Sequence, residues 1–401
     1  MKRFGRILFC LCWFAPLLAS AQIDPIRRDL IQVGYNTAFE GHVPLAGYAY
    51  YYHNKPDFLR TNLTLRLALA PVYLDSELGF VSGLGPNTDF AIGVAGGGFA
   101  DGYNEIRGGD FVTGESFDGN GGEISASVYH LFNPGDEIPL NFVLRGTAHY
   151  SFFNRSDETA AGFVLPADHA DFSVRTGLRW GGVEPTLFPP LAMELSIWYE
   201  GHARTDPGTY GFGGDREFKE QSHLFWAEAA LAYTLPKSQQ SFYVRLTAGT
   251  SVDADRFSAY RLGGFLPLIA EYPLSLPGYF YQEISARQFV LLNANYLLPL
   301  DEKKRWNIDI NAASALVDYL PGESQPGNWL NGVGGGILYH SQSDRWKIMI
   351  NYAYGIDAIR SHGRGANSIG VLVQLDLGHK RSQNFNSTQP LLWRGWQRIF
   401  D

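Results

Sequence analysis

The chain carries few side chains whose type and spacing suit covalent chemistry. Gly114-Glu115-Ser116-Phe117-Asp118 offers a serine, but it lacks the second glycine of a nucleophile elbow and sits in a loop-like stretch. Ten histidines are scattered, and none pairs with another at metal-ligand spacing. His149 and His223 fall within strand-like segments, where a wall or girdle position is expected rather than a catalytic one. Asp253 with Asp255, and Asp118 beside Gly119-Asn120-Gly121, have the oxygens of a surface calcium site; they also have the composition of solvated loops, which is the favoured reading. No catalytic residue, metal or cofactor is therefore expected, and no enzyme activity. One further polar residue stands out in a long connection: Arg261, in Tyr260-Arg261-Leu262-Gly263-Gly264-Phe265. The glycines permit a tight backbone path, and an arginine in a confined space needs a carboxylate for its planar fork. A solvated arginine beside an external glycine turn is the other reading of these residues.

Segments of one repeated kind must position these side chains. From 140 to 152, Leu140, Phe142, Leu144, Ala148, Tyr150 and Phe152 share one face, and Asn141, Arg145, Thr147, His149 and Ser151 the other. A strand points successive side chains to opposite faces, so each such segment has an apolar and a polar side. Comparable segments fall near 30–41, 45–53, 61–82, 88–99, 121–133, 139–152, 170–183, 191–203, 222–236, 240–254, 285–299, 304–318, 328–341, 344–358 and 365–378. Connections alternate between short (134–137, 236–239, 301–304) and long (100–120, 153–169, 204–221, 255–284). This rhythm is that of an all-β, transmembrane antiparallel barrel with lipid outside and water inside. Fifteen segments are counted where an even number is required, and 61–82 is too long for one strand. The expected total is about 16, with one strand misread before residue 90. Trp180, Trp198, Trp306, Trp329 and Trp346 lie in or at the ends of strands, where interfacial girdles and core packing are both open. Gly332-Val333-Gly334-Gly335-Gly336 is no phosphate cradle, because no helix follows it; glycine here relieves crowding.

The start of the chain reads as an export signal. Lys2, Arg3 and Arg6, an apolar run from Ile7 to Leu18 and Ala19-Ser20-Ala21 predict cleavage before Gln22. The run is too short for a comfortable spanning helix. Both cysteines, Cys10 and Cys12, lie within it, so the mature chain is expected to have neither disulfide nor thiol. Losing three bases and no acid takes the formal charge from −8 to −11, which argues against nucleic acid as the main partner. No later apolar run is long enough for a spanning helix, and a closed barrel satisfies every backbone group between its strands.

Two strands follow the glycine pair. They end in Leu292-Asn293-Ala294-Asn295-Tyr296-Leu297-Leu298-Pro299-Leu300 and Ala315-Leu316-Val317-Asp318-Tyr319. With the Arg261 segment, they make residues 240–378 resemble the carboxy-terminal barrel of the BamA/TamA and two-partner-secretion transporter superfamily. The form most like it is the Arg-Leu-Gly-Gly-Phe version found in barrels attached to patatin-like lipases. The resemblance implies a long loop folded back into the lumen. Arg261 would be the loop arginine, Gly263, Gly264 and Phe265 its tip, and Asp318 the wall carboxylate that receives the arginine. Leu316 and Leu320 stand where that family has Phe and Gly, and Asn295 takes an often acidic position. Family members usually carry periplasmic POTRA domains or a lipase domain before the barrel. Here the alternation begins almost at once, so a barrel-only member is expected.

Leu392, Trp393, Trp396, Ile399 and Phe400 recur at helical spacing among Lys380, Arg381, Arg394 and Arg398. A short interfacial helix and a disordered tail are both open for 379–401. The expected organisation is a signal peptide (1–21), an outer-membrane barrel of about 16 strands with an inward-folded long loop (22–378), and this tail. The resemblance implies non-enzymatic transport or insertion across the outer membrane, through a weak seam between first and last strands. A passive diffusion pore is the alternative, given inward Arg145, Arg175, Arg179 and Asp357. A third reading is a surface-binding barrel serving a separately encoded periplasmic or lipase partner. Outer-membrane lipid is the surrounding partner in each case.

Overall fold

A computed structural model describes residues 23–378 apart from 24, 25, 43, 45, 137, 184, 185 and 344. The expected signal peptide and tail lie outside the described residues. Alternation along the chain builds sixteen long antiparallel strands, each hydrogen-bonded to its sequence neighbours. β1 (Arg28–Ala38), β2 (Ala46–Pro56), β3 (Leu63–Leu69), β4 (Tyr73–Gly85) and β5 (Thr88–Gly97) form the amino-terminal wall. The wall continues through β6 (Asp118–Leu131), β7 (Leu140–Asn154), β8 (His169–Gly182), β9 (Leu191–Arg204), β10 (Gln221–Thr234) and β11 (Ser241–Val252). It ends with β12 (Ile284–Pro299), β13 (Trp306–Tyr319), β14 (Trp329–His340), β15 (Trp346–Arg360) and β16 (Gly363–Asp376). β16 returns to β1 in unbroken register, from Asp376 opposite Leu30 to Ser368 opposite Ala38. The sheet is thus closed and has no free edge.

The period of two sorts side chains between lipid and lumen. On β15, Ile350 and Tyr352 are 53% and 50% exposed, whereas Asn351 between them and Met349 and Ala353 on either side are buried. Leu144, Phe152, Phe172, Val174, Ile197, Val244 and Ile310 also face outward. Such a continuous apolar outer surface is stable only against hydrocarbon. The run 61–82 divides into β3 and β4 at Ala70-Pro71-Val72, where the Ala70 amide donates to the Tyr73 carbonyl at 2.8 Å. Pro71 has no N–H for a ladder, which makes it a turn residue rather than a strand residue. This split supplies the missing strand and the even number.

Connections alternate between a turn end and a loop end. Trp180, Trp306 and Trp346 are exposed near the turn end, and Trp329 at the loop end. Trp198 and Trp226 are not girdle residues: they stack inside the lumen, with centroids 6.1 Å apart. The seam is not visibly weak. Its ladder covers Leu30 to Ala38, whereas β2 meets β3 only from Tyr51 to Pro56.

Candidate functional site

The lumen is filled by the connection 253–283, and the fit begins with glycine. After β11 the chain forms a short strand, Tyr260–Leu262, which takes the place of β11 beside β12, with Arg261 opposite Ser285. Gly263 (φ +145°) and Gly264 (φ +67°) then turn it inward. A Cβ on Gly263 would collide with the carbonyl oxygen of Phe280, so only glycine fits. The excursion returns to its own start: the Gly263 amide donates to Leu274 O at 3.0 Å, and the Leu276 amide to Gly264 O at 2.9 Å. Farther on, the backbone at Pro277-Gly278 lies directly on Gly332 and Gly355 of the wall. The glycines of β14 and β15 therefore give the loop room to touch the barrel.

Phe265 and Leu266 are buried in a cluster with Leu297, Leu338, Met349 and Leu372 in the lower half of the lumen. Leu187, from the turn between β8 and β9, joins the same cluster. Its amide donates to Gln374 Oε1 at 3.0 Å, and its carbonyl accepts from Lys347 Nζ at 3.1 Å. Gln374 Oε1 also accepts from Gln32 Nε2 at 3.1 Å, a bond that crosses the seam from β1 to β16. The turn-end plug and the seam therefore share one acceptor atom.

Three ionic tethers hold the loop to the strands of the wall, and in each the loop supplies the acid and the strand the arginine. Asp255 meets Arg204 at 2.8 Å, both side chains being buried. Glu271 pairs with Arg175, at 3.8 Å, and with Arg179. Arg179 also lies 5.0 Å from the Trp198 ring, beside Tyr272 of the loop. Glu283 receives both Arg360 terminal nitrogens at 2.8 and 3.0 Å, with exposures of 0% and 1%. The Phe280 amide donates to Glu283 at 2.7 Å, and the Phe280 ring lies under the Arg360 guanidinium. Paired and hydrogen-bonded this way, buried charges are tolerated where single ones are not.

The expected pairing of Arg261 with Asp318 does not form. Arg261 points toward the loop end, donating to Asn104 O at 2.8 Å over the Tyr103 ring. Asp318 is exposed on the outer face and pairs with Arg287 at 2.7 Å. The reason is parity: Asp318 shares a face with Leu316 and Ile310, which face lipid, while Asp309, Asn311 and Val317 point inward. Sequence reasoning missed Arg360 and Glu283. On that strand the even positions from Trp346 to Ile356 face lipid, so alternation alone puts Arg360 outside; the irregularity between Gly355 and Ile359 turns Ala358 and Arg360 inward.

Above the loop, the external connections form a dome. Phe257 of the loop lies 5.7 Å from Tyr103, 5.7 Å from Phe153 and 5.3 Å from Phe218. Around it, Arg256 joins Glu105 at 3.3 Å and Glu323 at 2.5 Å, and Arg216 meets Glu105 at 3.3 Å. Burial, with Glu105 nearby, pushes the Glu323 carboxyl up to about 6. Ser116 is structural here, accepting from the Glu105 amide at 3.0 Å and donating to Val112 O at 2.9 Å. Of the candidate calcium ligands, Asp255 pairs with Arg204 and Asp253 with Lys219 at 3.5 Å, while Asp118 and Asn120 lie in β6, Asn120 accepting from the Phe99 amide at 3.0 Å. No group of three or more metal-type ligands converges among the described residues. His149 faces inward onto Asp101 at 2.9 Å, and His223 meets Tyr199 at 2.9 Å.

No family model matches the sequence, and no curated protein matches it. Solved structures do resemble the fold. CdiB from Acinetobacter baumannii aligns with a TM-score of 0.56 at 9% identity, over 87% of this chain and 60% of that one. BamA from Haemophilus ducreyi lacking POTRA domains 1–3 gives 0.54 at 10% identity, over 86% and 70%. CdiB from Escherichia coli gives 0.53 at 11%, over 88% and 63%. The chain thus spans less than two thirds of either CdiB. What is similar is the barrel fold of outer-membrane proteins of the BamA and CdiB type. The nearer likeness to patatin-linked barrels rests on the Arg261 to Phe265 motif alone.

Proposed function

We propose that this protein is a non-enzymatic outer-membrane barrel that moves or inserts polypeptides, working with a separately encoded partner. The observation that carries this reading is the filled lumen. A hydrophobic tip, three acid-to-arginine tethers and an aromatic dome close the channel at both ends. A diffusion pore has no use for such a plug, while a gated transporter needs one that is held by reversible contacts. The shared acceptor at Gln374 gives the plug a physical link to the seam, where a client strand would enter the sheet. Conductance in planar bilayers tests it. The expected trace is a small, flickering current; a large, steady current would return the passive pore. The membrane placement has its own test, a shift in gel mobility between unheated and boiled membrane extracts.

A further inference from the structure

We propose that the outer wall holds one glycerophospholipid at a built site on β13–β15, its acyl chain in a notch at Gly335 and its phosphate at Lys303 and Lys304. Along the lipid-facing positions of β14, Val333, Ile337 and Tyr339 carry side chains and Gly335 carries none. The gap opens between Ile310 and Tyr352, the register partners of Gly335 on either side. It is the upper end of an apolar groove lined by Ile337, Tyr339, Trp306, Trp346 and Ile350.

Geometry and charge select the occupant. The groove runs from Gly335 to an aromatic rim, with Tyr339 4.6 Å from Trp306 and 5.3 Å from Trp346. Four residues of strand cover about 14 Å, which at a tilt of roughly 40° is about 11 Å of depth, the larger part of one leaflet of a ~30 Å hydrocarbon core. The notch is therefore at the depth of an acyl-chain end, and the rim at the depth of a headgroup, where Trp and Tyr settle. Just past the rim, the turn between β13 and β12 presents Lys303 and Lys304, both exposed and without an ion pair among the described residues. Its acid Asp301 is occupied by the Trp306 amide at 2.9 Å and by Arg305 at 3.9 Å; Glu302 is exposed. A chain-length apolar slot with cations at one end fits a phosphate-headed lipid of the turn-end leaflet.

The site rests on the membrane placement proposed above, and the test separates the two. The full chain is placed in vesicles containing phosphatidylglycerol with a photoreactive group near one chain end, and adducts are mapped by mass spectrometry. The expected result is adducts concentrated on β14 and β15 over equally apolar strands such as β8 and β9. Gly335→Leu, which fills the notch, brings β14 and β15 down to that background while the heat-dependent gel shift persists. Lys303→Ser with Lys304→Ser weakens the enrichment by about fivefold per lysine. If Gly335→Leu fails to insert, the lysine variant decides. Even labelling around the wild-type barrel, or enrichment that neither variant changes, overturns the site. Absence of the gel shift in the wild type overturns the membrane placement instead, and the site with it.

Discussion

Glu283 and Arg360 are buried together, so neither can be removed alone without stranding the other's charge. Arg360→Met leaves a buried carboxylate, for which the cost is ~3–5 kcal/mol. The temperature of the heat-dependent gel shift should fall markedly. The double change Glu283→Leu with Arg360→Met should recover most of that loss, because a well-packed apolar pair replaces a desolvated one at little net cost. Asp318→Asn should behave differently. Its pair with Arg287 is about half exposed, and such pairs contribute ~0–1 kcal/mol. A shift temperature for Asp318→Asn as low as that for Arg360→Met would contradict the placement of the lock. The motif around Arg261 made the loop visible in the sequence, but not its partner. A guanidinium needs a carboxylate; parity along β13 puts Asp318 outside, and an irregularity in β15 that alternation does not announce brings Arg360 in to Glu283.

Among the elements, the spanning strands were legible because lipid on one side and a polar lumen on the other impose a strict period of two. The hairpin at Pro71 was the exception, since a short strand, β3, followed closely by β4 with apolar leucines on both arms, read as one. Trp198 was ambiguous for a similar reason: an aromatic on the lumen face of a plugged barrel packs as it would in a soluble core. The dome was not legible, because its order comes from contacts between connections far apart in the chain. It does make a pH prediction. Glu323 has its carboxyl raised from 4.5 to about 6 by burial, so the folded dome prefers the neutral form. Its contribution is fully present below about 4.5 and fades as pH rises through about 6. Amide exchange in 105–117 and 320–328, corrected for intrinsic rates, should be slower at about pH 5 than at about pH 7.5. Glu323→Gln should remove the difference. Exchange that is equally pH-dependent in that variant would take Glu323 out of the account.

For the molecule as a whole, the issue is whether plug and seam move together. Gln374 accepts from Leu187 on the plug side and from Gln32 across the seam, so a change at one is felt at the other. Gln374→Leu removes both bonds. At ~1 kcal/mol each, openings in a bilayer recording should become more frequent by about fivefold per bond. A seam disulfide then tells linked motion from independent motion. Val33 and Val373 are register partners on the lipid side, and the native cysteines are confined to positions 10 and 12. Facing positions in an antiparallel pair bring their Cβ atoms close enough for such a bridge. If the seam must loosen for the plug to leave, Val33→Cys with Val373→Cys, oxidised, silences the openings of both the wild type and Gln374→Leu, and a reductant restores them. If the openings continue unchanged with the seam bridged, the plug moves by itself and lateral release loses its physical basis. The outcome turns on one amide oxygen because this barrel, closed at its ladder and filled at its centre, offers that atom as the place where wall, plug and seam are joined.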